Sequence, residues 1–158
     1  MAERSAVTTP DPSGVPVDPN RPEPEPRPDD APTRGLRRYV EAVASGLGLS
    51  GPCWRTDPGP PATAYVAVEP GLPSFADRDF LLLWDEEYGW AAAVRPRSGE
   101  PPVVLTYRGG DVLAPVPDVV GYVAALRRGD HPGDPRPIRL RAYGAADDLV
   151  ERLRGYAR

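Results

Sequence analysis

The stretch Asp79-Phe80-Leu81-Leu82-Leu83-Trp84-Asp85-Glu86-Glu87-Tyr88-Gly89-Trp90-Ala91-Ala92-Ala93-Val94 reads as two β-strands joined by an acidic turn. Side chains alternate between faces along a strand, so Phe80, Leu82 and Trp84 point one way and Leu81 and Leu83 the other. Both faces of the first strand are therefore apolar, which suits a strand inside a sheet with cover on each side. Asp85 to Gly89 is a five-residue connection containing Gly, a length that fits a hairpin. With no bulge, this loop sets Trp84 opposite Trp90, Leu82 opposite Ala92 and Phe80 opposite Val94.

Working outward, Thr63 to Val68 reads as a strand and Cys53 to Asp57 as a shorter one, joined by the turn Asp57-Pro58-Gly59-Pro60-Pro61. Before them, Thr33 caps a helix over 34–47. Its Leu36, Tyr39, Val40, Val43, Ala44 and Leu47 recur at helical spacing, and Gly46 or Gly48 stops it. After the hairpin, Val103 to Tyr107 forms a fifth strand. If Val103 pairs with Val94, Leu105 meets Ala92 and Tyr107 meets Trp90, so Trp84, Trp90 and Tyr107 line up on one face. Pro117 and Asp118 open a second helix over 118–128 that Gly129 ends. Residues 138–142 suit either an extended piece or the start of a helix. Leu149, Val150, Leu153 and Tyr156 mark a last amphipathic helix from about Ala145 to the C-terminus. The fold class expected is α+β. It is an antiparallel sheet of four to five meander strands, packed by an N-terminal helix and two C-terminal helices, behind a disordered arm.

That arm is residues 1–33. It holds nine prolines and almost no large apolar side chain, too little to offset the entropy of ordering it. Alternating proline in Arg21-Pro22-Glu23-Pro24-Glu25-Pro26-Arg27-Pro28 favours an extended polyproline II tether. The remainder, 34–158, is long enough for one core and reads as one domain. The arm carries seven acids against three arginines, so it accounts for the whole formal charge of −4 and the domain is neutral. A neutral domain with an acidic arm is poorly suited to nucleic acid. All 19 basic residues are arginine, a pattern of a GC-rich coding sequence rather than of phosphate recognition. The single Cys53 precludes an internal disulfide or a thiolate metal cluster. With no apolar run of signal-peptide or membrane-span length, a cytoplasmic protein without membrane contact is expected.

Few residues carry chemistry. Gly46-Leu47-Gly48-Leu49-Ser50-Gly51 matches the string of dinucleotide-binding loops, but it follows a helix instead of a strand and precedes Pro52. It reads as a helix cap and a turn, and no cofactor is expected. His131, the only histidine, lies in the turn-rich Asp130-His131-Pro132-Gly133-Asp134-Pro135, where nothing orients a catalytic imidazole. No metal-ligand spacing is present. Among carboxylates, Asp77 and Asp79 flank Arg78 and read as a surface ion pair; Asp85, Glu86 and Glu87 read as a solvated turn, so Glu86→Ala is expected to cost little. No catalytic residue is assigned.

The string Arg78-Asp79-x-x-Leu82-x-Trp84-Asp85-x-x-x-Gly89-Trp90 resembles an uncharacterised actinobacterial family, domain-of-unknown-function family 6292. Tyr39-Val40 and Leu47-Gly48 in the first helix, Ala64-Tyr65-Val66 in a strand and Pro115-x-Pro117 before a helix fit the same family. The resemblance covers about residues 34–128. It implies a domain of those bounds from a GC-rich genome and no activity.

For function, the expectation is a non-catalytic interaction or regulatory domain. The first two helices share one sheet face, as neighbours in sequence do, and the last covers the other alone. One helix spans about two strands (~10 Å against ~4.8 Å each). Apolar surface should then remain at the Trp84, Trp90 and Tyr107 end, rimmed by Asp85, Glu86 and Glu87, for a protein partner or a second copy in a homodimer. The alternative is a small-molecule binder or carboxylate-dependent enzyme with a pocket near Trp84 and Trp90. The competing bland reading makes both tryptophans core.

Overall fold

The computed structural model describes residues 30–96 and 99–158, and the expected disordered arm lies, up to residue 29, outside the described residues. Three helices and a five-stranded antiparallel sheet make an α+β fold: α1 Ala31–Gly46, β1 Trp54–Asp57, β2 Thr63–Val68, β3 Arg78–Asp85, β4 Gly89–Pro96, β5 Val103–Tyr107, α2 Val116–Arg127 and α3 Leu149–Ala157. A single 3₁₀ turn, Pro73–Phe75, interrupts the β2–β3 connection. The strands follow in chain order across the sheet, a plain meander.

Helix α1 starts earlier than Thr33 suggests. Asp30 is the cap, its carboxylate accepting from the Thr33 amide at 2.9 Å, and Pro32 sits in the first turn where a missing N–H costs nothing. Thr33 is buried inside the helix instead.

The central hairpin has the register read from its loop length: Trp84 faces Trp90, Leu82 faces Ala92 and Phe80 faces Val94. Between β4 and β5 the register slips. Val94 faces Val103 and Ala93 faces Val104, but Ala92 faces Thr106 and Ala91 faces Tyr107. Leu105 is the extra residue of a β-bulge, so Tyr107 lies on the opposite face from the tryptophans. The bulge turns Thr106 inward, where its hydroxyl donates to the Pro132 carbonyl at 2.6 Å and its own carbonyl accepts from Tyr122 Oη at 3.0 Å. A three-strand row of Trp84, Trp90 and Tyr107 therefore does not form.

All three helices contribute to one core, against the face made by Ala64, Val66, Val68, Phe80, Leu82, Trp84, Trp90, Ala92 and Val94. Helix α3 packs on α1 so closely that a β-carbon at Gly35 would overlap the Leu153 carbonyl. The expected split of helices over two faces is thus corrected. α3 follows α1 because Leu149 and Leu153 extend the apolar stripe of Leu36, Tyr39 and Val40 into a second helical layer. Leu81, Ala91 and Ala93 are buried yet stand apart from this core, on the other face.

The last helix begins at Leu149, not near Ala145. Residues before it are held in turns: Ala145 N–H donates to Ala142, Asp147 N–H to Ala145, and Gly144 has φ 76°. Residues 138–142 are neither strand nor helix, bending at Arg141, and are anchored where the amides of Leu140 and Arg141 donate to the Glu87 carbonyl.

Candidate functional site

Trp84 and Trp90 are each 1 % exposed. Trp90 Nε1 donates to Tyr39 Oη at 2.9 Å, which donates to the Ala114 carbonyl at 2.5 Å; Trp84 Nε1 donates to Val112 at 2.7 Å. Each indole thus has its polar end satisfied inside the core, as buried tryptophan requires. Burial also pushes the Tyr39 hydroxyl well above the ordinary phenol range, and that of Tyr122 up to about 12. The exposed patch expected at these tryptophans is absent, because α1 and the connection 111–114 close over them.

The hairpin-tip acids are a clasp instead of a solvated rim. Glu86 is 12 % exposed; one carboxylate oxygen accepts from the Ala62 amide at 2.7 Å and the other from Arg141 Nη1 at 2.9 Å. Arg141, 9 % exposed, also grips Asp147 through Nε and Nη2. Glu87 pairs with Arg139 and accepts from the Tyr143 amide at 2.9 Å. Arg139 first, then that amide, holds the Glu87 carboxyl below its usual range; Arg141 does the same to Asp147. Arg152 makes a two-pronged bond to Asp111, which lowers that carboxyl too. The two glutamates therefore tie the β3–β4 turn to the β1–β2 turn and to the chain leading into α3.

Of the six residues singled out for binding, Tyr107 and Asp85 remain available, and they lie on the other sheet face. There the five strands present Arg55 and Asp57, Thr63 and Tyr65, Leu83 and Asp85, Ala91, then Val104 and Tyr107, with Tyr88 from the hairpin. These residues line a trough of about 510 Å³. Tyr88 and Tyr107 stand beside each other at 6.3 Å between ring centroids. Tyr65 was legible as a strand residue, and its alternation with buried Ala64 and Val66 already puts it on this face. Tyr88 had no signal beyond its place in the turn.

A second groove of about 420 Å³ holds His131, exposed at its edge among Leu72, Phe75 and Leu105. The imidazole has no hydrogen-bond partner among the described residues, in keeping with a loop histidine. Among the described residues no group of three or more His, Cys, Asp or Glu side chains is placed to hold a metal ion, and no helix is long and apolar enough to cross a membrane.

A model of a family described as a family of unknown function (DUF6292) matches residues 39–126, more than half of the chain, and the chain belongs to that family. No curated protein and no solved structure matches.

Proposed function

We propose that this member of a family of unknown function is a non-catalytic interaction domain that binds an extended polypeptide in the trough on the helix-free face of its sheet. One observation carries the reading: every helix packs on the same side of the sheet, and the other face carries an apolar, tyrosine-lined trough beside Leu83 and Ala91. A sheet that needed only a core would carry polar side chains there, as half-solvated antiparallel sheets do. Here Leu83, Ala91 and Val104 line the trough, with Leu81 and Ala93 buried beside it on the same face. Small alanines let a ligand backbone come close, tyrosines supply broad contact with a polar end, and the charged rim sets register.

The carboxylates support binding over catalysis. Glu87, Asp111 and Asp147 are all held in the charged form by arginine, whereas a general acid needs its proton held above the usual carboxylate range. A peptide-display selection against the full chain tests the reading. Selected peptides should bind the unaltered protein and lose at least tenfold on Leu83→Arg or Tyr107→Ala, with the urea midpoint of Tyr107→Ala unchanged. Binding indifferent to both substitutions, or no selection at all, would overturn it. A second copy as the occupant is distinguished by light scattering, where a Leu83-dependent dimer would appear.

A further inference from the structure

We infer that the groove between the N-terminal ends of α1 and α3 is a binding site for a small, uncharged aromatic molecule carrying a hydrogen-bond acceptor such as a ketone oxygen. The groove holds about 510 Å³, within the range of pockets that take small organic ligands, and it lies among the helices, apart from the trough. Pro32 and Leu36 of α1, Leu149 and Leu153 of α3, and Trp84 give it apolar walls. Tyr143 and Val150, 45 % and 46 % exposed, line it where it meets solvent. They are two of the three large apolar side chains left exposed among the described residues.

Two features of the wall call for an acceptor. Thr33 is 5 % exposed and lines the groove, yet its hydroxyl makes no hydrogen bond among the described residues. Only its amide is used, in the cap bond to Asp30. A polar group buried to that degree is ordinarily paired. The second feature is the first turn of α3. Asp148 makes no side-chain capping bond there, and Asp147 takes up the Leu149 amide at 3.3 Å. The amides of Val150 and Glu151 are left without an acceptor among the described residues, and Val150 lines the groove. Charge then narrows the ligand. Arg141 also lines the groove, but its five N–H directions are spent on Glu86, Asp147 and the Ala145 carbonyl. A carboxylate entering would meet Asp30 and Glu86 with no spare cation to offset them, and the uncapped positive end of α3 opposes a cation. An uncharged ring with an acceptor meets neither penalty.

The test titrates the isotope-labelled full chain with acetophenone, benzoate and α-methylstyrene. The three have nearly the same shape; the first carries an uncharged acceptor, the second a charged one and the third none. Acetophenone should shift the amide signals of Thr33, Leu36, Tyr143 and Val150 saturably. It should bind about tenfold or more tightly than benzoate and about threefold or more tightly than α-methylstyrene. Thr33→Val keeps the side chain's shape and should erase the advantage of acetophenone over α-methylstyrene. Val150→Trp, at a half-exposed position, should fill the mouth and abolish binding of both while the amide spectrum of the sheet stays unchanged. No saturable shift at these residues, equal affinity for benzoate, a Thr33→Val protein that still prefers acetophenone, or a Val150→Trp protein that still binds it would each overturn the inference.

Discussion

Replacing Arg141 by Met keeps the side chain's length and apolar stem and removes its guanidinium. Lost are bonds to the Glu86 carboxylate at 2.9 Å and carbonyl at 3.3 Å, two to Asp147 at 2.5 and 3.1 Å, and one to the Ala145 carbonyl at 3.4 Å. Hydrogen bonds to charged groups are worth about 1.5–3 kcal/mol where water is largely excluded, which describes the Glu86 contact. Asp147 is 36 % exposed, so solvent screens that pair and it adds less than about 1 kcal/mol. Stripping one partner from a fully buried ion pair costs about 3–5 kcal/mol, an upper bound here. The expected loss is therefore about 2–3 kcal/mol, or a Tm about 4–12 °C lower for a chain of this size. Urea unfolding followed by tryptophan fluorescence reads it, because Trp84 and Trp90 report on the core. A cycle with Glu86→Gln should return a coupling of about 1–2 kcal/mol. A loss below about 0.5 kcal/mol would show that the clasp is a surface contact and that α3 is held by packing alone.

Leu82→Ala, at a position with no exposure on the helix side of β3, should cost about 2–5 kcal/mol, whereas Leu83→Ala on the open face should cost less than half as much; equal urea midpoints would refute the one-sided core. Gly35→Ala should detach α3, seen as faster hydrogen exchange at 149–157 with the sheet still protected, because a β-carbon there meets the Leu153 carbonyl. Glu87 and Asp147 have depressed folded-state pKa values, so their contribution is present above the unfolded carboxylate range, about pH 4, and is lost as pH falls through the lower folded values. Amide signals of 139–147 should accordingly shift in acid before those of β3 and β4. His131→Ala should leave peptide binding and stability unchanged; a tenfold loss of binding would move the site to the His131 groove.

The hairpin was legible because loop length and alternation leave one register for Trp84 and Trp90. The bulge was not. Val103, Val104 and Leu105 are interchangeable as strand formers, and only the pairing of inward Thr106 with Pro132, a contact distant in sequence, selects which of them is skipped. The one-sided stacking of helices was hidden for a related reason. Leu81, Ala91 and Ala93 look like residues awaiting a helix, and nothing local in 149–157 says that this helix prefers α1 to the bare sheet. Glu86 and Glu87 resembled any acidic turn, since their arginine partners lie more than 50 positions away, in the irregular segment before α3. Of the binding residues read from sequence, Asp85 reaches the trough by alternation with Trp84 along β3, and Tyr107 by a register shift that alternation alone could not supply.

The loop after α2 also decides how this sheet ends. Tyr107 and Asp134 exchange both backbone hydrogen bonds, at 2.7 and 2.9 Å, so the margin of β5 is occupied by one rung of a would-be sixth strand. Pro132 and Pro135 flank that rung and cannot donate to another, and Gly133 is the one residue whose lack of a β-carbon lets the loop lie against Tyr107 and Thr106. At the opposite margin β1 has four residues, bounded by Pro52 and Pro58. Both margins are short and broken by proline, the devices by which edge strands are kept from recruiting strands of neighbouring molecules at high protein concentration.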